Sequence, residues 1–417
     1  MQDRLLFERT MLGNGTALYS HAMDAPLFSL HVLIPVGSVH SHDGNSGGRH
    51  GVTHFLEHMT FMRSERYPEL RSFDRLAAEQ GALLNAYTAP YYTSIYVQAP
   101  VAAERMIVEG IASMLFQPIF DEGDIAIERG VVGNERDQRK YFPGTTELGR
   151  YIDHEWMHDE HFTKEQLFGS DADLAAMTPV QLSRFHDNYW NESVRIVAAG
   201  GHDPHIIAEA FGSTAAPSSR LMEQSIPLSW GRREYHEKQF RDLDSPILFI
   251  GGLTSSYDLM SDLRLTFILG FLTNPSHGPI YDWLRNQKGW TYGVSAGSET
   301  DRDRFSWLFR MPLNDVTAVR EIRAEFMERA RTALADEAHI RAHAARELNR
   351  NVFNFQTADT RAETAVTMLT HTGTISSEAE LVAILESMTA ESLLGAFDEH
   401  FAPERVGEFL ALPMAQG

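Results

Sequence analysis

His54-Phe55-Leu56-Glu57-His58 is a run whose residue types and spacing could hold a metal ion and move a proton. A helix through residues 51–62 would set His54 and His58 at i and i+4, projecting from one face about 6 Å apart. Two imidazoles so placed can share one zinc ion at roughly 2.0–2.1 Å per bond. Glu57 lies beside His58, within reach of a water on the metal, without itself needing to be a ligand. The order His-x-x-Glu-His reverses the commoner His-Glu-x-x-His of zinc peptidases.

A catalytic zinc site normally has three protein ligands and a water, so a third ligand must come from elsewhere. Glu135 is the candidate. The stretch before it reads as a helix, with Asp121, Glu122 and Asp124 at its start and Ile127, Val131 and Val132 marking an apolar side. Glu128 and Glu135 are two turns apart and share a face.

A second motif competes. His154-Glu155-Trp156-Met157-His158 is a literal His-Glu-x-x-His, with His161 following. Its neighbours Asp153, Asp159 and Glu160 are acidic, and no Gly-x-x-His continuation completes the extended zinc signature. This segment reads as a solvated loop or helix end.

The elements that must carry these groups look duplicated. A strand ending at Pro100 leads into an amphipathic helix from Val101 to Leu115; a strand ending at Pro312 leads into a helix to Leu334. The offset, 312 − 100 = 212, is about half of the 417 residues. Applied without a gap, it sets His54, Glu57 and His58 opposite Thr266, Leu269 and Gly270, so the second copy has no metal ligands. Small residues and Pro217 suggest a linker at 215–231 between a catalytic half (1–214) and a second half (232–417). Strands such as Leu27–Ile34, Ser94–Gln98 and Ile247–Gly251 mixed with long helices make both halves α+β, each a mostly antiparallel sheet with helices on one face.

Composition narrows the function classes. The apolar fraction of 43% and charged fraction of 22% are those of an ordinary globular protein. No apolar run is long enough for a membrane span, and the N-terminus shows no signal-like apolar block, so a cytoplasmic location is expected. Zero cysteines exclude disulfides and thiolate ligands, leaving imidazole and carboxylate for a metal. A net charge of −21 argues against nucleic acid and mildly favours cationic peptides.

With these residues in view, the chain closely resembles the M16 zinc metallopeptidases, the family of pitrilysin and the mitochondrial processing peptidase. Gly51 to Phe61 looks like the family's metal helix, and Gly81 to Thr88, with Asn85, Ala86, Thr93 and Tyr96, like its substrate-binding strand. Asn14-Gly15, Gly37-Ser38 and the pair Arg285 and Tyr292 match as well. Two departures stand out: Arg63 and Ser64 replace a frequent Gly-Thr, and the loop before the metal helix carries His40, His42 and His50.

The resemblance implies a LuxS/MPP-like metallohydrolase fold of two tandem halves and one zinc ion per chain held by His54, His58 and Glu135. It implies that Glu57 is the general base and that Glu128 hydrogen-bonds a ligand histidine. Asn85, Ala86 and Thr88 would form an exposed edge to which an extended peptide adds as a strand. Arg285 would hold a peptide carbonyl or C-terminus, and Tyr292 the tetrahedral oxyanion. In short members two chains usually close a chamber that admits small or unfolded peptides, so a homodimer, or a heterodimer with a paralogue, is expected. The alternative is a non-catalytic or partner subunit of such a heterodimer. The ligand set also suits other divalent ions.

Overall fold

In the computed structural model, which describes residues 3–42, 49–138, 147–157, 167–190, 194–213, 232–241, 243–254, 259–301 and 304–414, the strands pair into two sheets. The first is built from β1 (Glu8–Met11), β2 (Ala17–Ala22), β3 (Leu27–Ile34), β4 (Leu83–Thr88), β5 (Thr93–Pro100) and β6 (Arg195–Gly200). Their order is β1-β2-β6-β3-β5-β4, antiparallel except for β2 beside β6. The second is built from β7 (His236–Phe240), β8 (Ile247–Thr254), β9 (Ser295–Asp301), β10 (Arg304–Pro312) and β11 (Val406–Pro413). Their order is β7-β11-β8-β10-β9, antiparallel except for β7 beside β11.

Without β1, the two orders correspond strand for strand, and the parallel pair falls at the same place in each. The fold is therefore α+β with two like halves and mostly antiparallel sheets, as the sequence pattern suggested. Pro100 and Pro312 end equivalent strands, followed by the helices Glu104–Phe116 and Val319–Ala333. The linker expected at 215–231 lies outside the described residues. No described helix is long and apolar enough to cross a membrane.

Each half packs its own helices on one face of its sheet. Phe28, Leu30, Val32 and Ile34 of β3 join the core of the first half, beneath α1 (Val52–Thr60), α2 (Ser72–Glu79), α3 (Glu104–Phe116) and α4 (Glu122–Gln138). Yet β3 is buried on both faces from Phe28 onward. Leu33, with Val197 and Ala199 of β6, packs against Ala362, Ala365, Val366 and Leu369 of the helix Ala358–Thr372, which belongs to the second half. The exchange is mutual. Ile247 and Phe249 of β8 and Phe409 and Ala411 of β11 are covered by Tyr151, Trp156 and Met157 from the first half. A sheet with two apolar faces needs a layer on each, and here the second layer is lent by the other half. Large side chains so buried contribute roughly 1.5–3 kcal/mol each.

Candidate metal centre

α1 is buried nearly all round, leaving His58 as its one half-buried member. Its start depends on Gly51, whose φ of 81° is left-handed and whose missing side chain admits the Phe168 backbone; a Cβ there would sit 2.5 Å from that carbonyl carbon. Phe168 in turn sets its ring edge-on to His54, with centroids 4.9 Å apart. The Thr53 hydroxyl donates to the Gly37 carbonyl at 3.2 Å, tying the helix to the preceding loop. In that loop His40 is buried and its Nδ1 accepts from the Gly37 N–H. The His42 side chain lies outside the described residues.

α4 forms where the acidic start suggested, with Asp121 accepting from the Gly123 N–H at 2.8 Å. Of its expected apolar side, Val132 is buried but the other two residues are not. Ile127 is 57% exposed and Val131 40%, whereas the inward face carries Asp124, Ile125, Glu128 and Val132. Two of these four inward residues are carboxylates that hold other side chains. Asp124 takes Arg63 in a two-pronged pair at 2.6 and 3.2 Å, clamping α4 to the end of α1. The departure at Arg63 thus serves as a fastening between the two helices. Ser64 is fully buried, and the Ser113 hydroxyl donates to its Oγ at 3.0 Å.

These two helices bring His54, His58 and Glu135 together. His54 Nε2 lies 3.6 Å and His58 Nε2 3.3 Å from the same oxygen, Glu135 Oε2. Ligands around a tetrahedral zinc with ~2.05 Å bonds stand about 3.3 Å apart, so both histidine–glutamate separations suit such an ion, and all three donor atoms lie within 4.8 Å of one another. No other His/Asp/Glu group among the described residues comes together as closely.

Behind them, His58 Nδ1–H donates to Glu128 Oε2 at 3.0 Å, and Arg71 Nη2 donates to Glu128 Oε1 at 3.0 Å. Glu128 is 1% exposed. Burial alone would lower the His58 pKa, but the hydrogen bonds from Glu128 and Glu135 and the charges of Glu57 and Glu128 raise it to about 9. Arg71 itself adopts a left-handed φ of 51°, uncommon for a residue with a side chain. Neither Arg71 nor the Thr88 contact described next was singled out from sequence.

Glu57 is 7% exposed, and Thr88 Oγ1 donates to its Oε2 at 2.5 Å. Thr88 ends β4, the outermost strand of its sheet. Along β4 the residues alternate. Leu84, Ala86 and Thr88 are half-buried towards α1, and Leu83, Asn85 and Tyr87 are exposed. Asn85 Oδ1 accepts from the Ala86 N–H at 2.9 Å.

In the second half, the helix Leu259–Thr273 lies against β9 as α1 lies against β4. This helix carries no histidine, so it offers no imidazole to a metal. Arg285 lies over the Tyr292 ring at 4.6 Å and donates to the Tyr281 hydroxyl. Tyr292 is 80% exposed, which excludes a core role for it.

The described residues of the second histidine motif lie at the end of the helix Tyr151–Trp156, and this helix end is not a solvated one. Trp156 and Met157 are buried against the second sheet, and Glu155 pairs with Lys238 at 2.9 Å. Its apolar pair dominates its acidic flanks, because that pair fills the core shared by the two halves. The His154 side chain, His158 and His161 lie outside the described residues.

Residues 16–147 match the model for Insulinase (Peptidase family M16), and residues 176–345 match Peptidase M16 inactive domain. Protease 3 of Escherichia coli (strain K12) is 25% identical over 313 residues, covering 72% of this chain but 32% of the relative. The chain thus spans about a third of that protein's length. The uncharacterized zinc protease YmxG of Bacillus subtilis (strain 168) is 25% identical over 268 residues, 60% of this chain and 62% of the relative. The crystal structure of a protease from Helicobacter pylori superposes with a TM-score of 0.80 at 16% identity, covering 98% of this chain and 99% of that one.

Proposed function

Because the chain belongs to the M16 family of peptidases, we propose that it is a zinc-dependent endopeptidase acting on small or unfolded peptides. The observation that carries this reading is the convergence of His54 Nε2 and His58 Nε2 on Glu135 Oε2 beside a buried glutamate, Glu57. A divalent ion held there would acidify a coordinated water towards a pKa of ~7 and polarise the scissile carbonyl.

The chain's own groups do the rest. Glu57 accepts the proton of the attacking water and passes it to the leaving amine. Glu128 grips His58 Nδ1, which turns Nε2 towards Glu135. The free edge of β4, at Asn85, Ala86 and Thr88, takes an extended peptide as an added strand, once the Asn85 side chain gives up the Ala86 N–H. Reading backbone rather than side chains, this edge gives loose sequence preference.

Arg285 and Tyr292 hold the peptide carbonyl and the tetrahedral oxyanion. Within the chain Arg285 contacts both Tyr292 and Tyr281. The exposed Tyr292 therefore supports a site completed across two chains, a homodimer or a heterodimer with a paralogue enclosing a chamber.

The test is cleavage of an internally quenched peptide by purified protein, with and without a chelator, alongside elemental analysis and native mass. Chelator-sensitive cleavage and one zinc per chain are expected. Metal-replete protein that never cuts, alone or with its co-purifying partner, refutes the enzyme reading in favour of a non-catalytic subunit.

A further inference from the structure

Thr88 stands on the strand assigned to the substrate, but its hydroxyl is turned inward to the base. We propose that Thr88 is a positioning residue for Glu57, so that the strand receiving the peptide also aims the group that moves the proton. This rests on the peptidase reading and deepens it.

Three observations carry it. The contact from Thr88 Oγ1 to Glu57 Oε2, at 2.5 Å, is the short bond expected of a hydroxyl donating to a carboxylate. An ionised carboxylate only accepts, so a hydroxyl donor is the partner that its oxygen takes. The donor is also firmly mounted. Thr88 pairs with Thr93, which is fully buried and donates from its own hydroxyl to the Val36 carbonyl at 2.7 Å. A base held between a buried helix and a paired strand keeps one orientation, which a loop residue would not ensure. Thr88 therefore serves the peptide through its backbone, while its side chain serves Glu57.

The experiment compares wild type with Thr88→Val, which keeps the shape and removes the donor, and Thr88→Ser, which restores it. The measurements are kcat and KM on a quenched peptide, zinc content, melting temperature, and crystal structures of the zinc-loaded wild type and Thr88→Val. We expect Thr88→Val to lose roughly 10- to 100-fold in kcat, part of the 10²–10⁴ that a general base supplies. KM and zinc content should stay within about twofold of wild type, and Thr88→Ser should recover most of the loss. The Glu57 carboxylate should leave its wild-type position in Thr88→Val.

An unchanged kcat, a loss confined to KM, or a Glu57 that keeps its position without the hydroxyl overturns the assignment. If wild type shows no chelator-sensitive cleavage, the peptidase reading fails, and the Glu57 positions in the two crystal structures still decide the role of Thr88.

Discussion

Replacing Glu128 by Gln keeps the size of the side chain and removes its charge, which isolates what that charge does for the metal centre. Glu128 is 1% exposed and accepts from two donors at 3.0 Å, His58 Nδ1–H and the Arg71 guanidinium. A glutamine has one acceptor oxygen and one NH2, so it can satisfy one donor but must turn N–H groups towards the other. Arg71 is 48% exposed, so water can take over its lost bond at little cost. The amide oxygen then faces His58, and a charge-assisted bond becomes a neutral one. That exchange forfeits about 1–2 kcal/mol, from roughly 1.5–3 down to 0.5–1.5.

The expected result is zinc binding weaker by roughly 5- to 30-fold, within the range usual for such outer partners. Competition with a chromogenic chelator measures it, with far-UV circular dichroism to show an intact fold. Arg71→Met should weaken binding by less than about fivefold, because the half-exposed Arg71 touches Glu128 and not a ligand, and the charge that His58 meets stays in place. An E128Q protein that binds zinc within twofold of wild type, or an R71M protein that binds more weakly than E128Q, refutes the argument.

Further outcomes follow from the same geometry. Glu57→Gln should leave zinc stoichiometry unchanged and cut kcat by about 10²–10⁴; retained turnover would remove Glu57 from the mechanism. Burial pushes the pKa of His31, His202 and His343 from 6.5 down to about 4, with the neighbouring His277 adding to the shift at His343. Their contribution to stability is complete above pH ~6.5 and is lost as pH falls towards ~4, because the unfolded chain takes up protons first; each is worth up to about 3 kcal/mol. Urea midpoints measured from pH 7.5 to 4 should fall across that window; a flat profile would contradict it. Trp156→Ala should cost about 3–5 kcal/mol and lower the melting temperature, although the residue sits in a histidine motif; an unchanged melting point would exclude its role in joining the halves.

How much of this could be read beforehand depended on whether a signal was local. The i, i+4 histidines and intervening glutamate of α1 are visible in five letters, because helical spacing fixes which side chains share a face. The duplicated strand-to-helix plan was legible through Pro100 and Pro312, where each strand ends. The facing of α4 was read only in part, at Val132, because hydrophobicity usually marks the inward side, and here Asp124 and Glu128 share it in the service of Arg63 and His58. Arg71, Thr88 and Phe168 reach the site from distant points along the chain, and no spacing rule relates them to α1. The burial of Trp156 and Met157 escaped notice for a similar reason, since the surface they cover belongs to β8 and β11 of the other half.

That trade of helical arms means neither sheet is a free-standing unit. Expressed without residues 358–372, the amino-terminal portion would present Leu33, Val197 and Ala199 to water, an oily flank inviting aggregation. A nick between the portions, by contrast, leaves every interlocking contact in place, so the severed pieces should remain clasped.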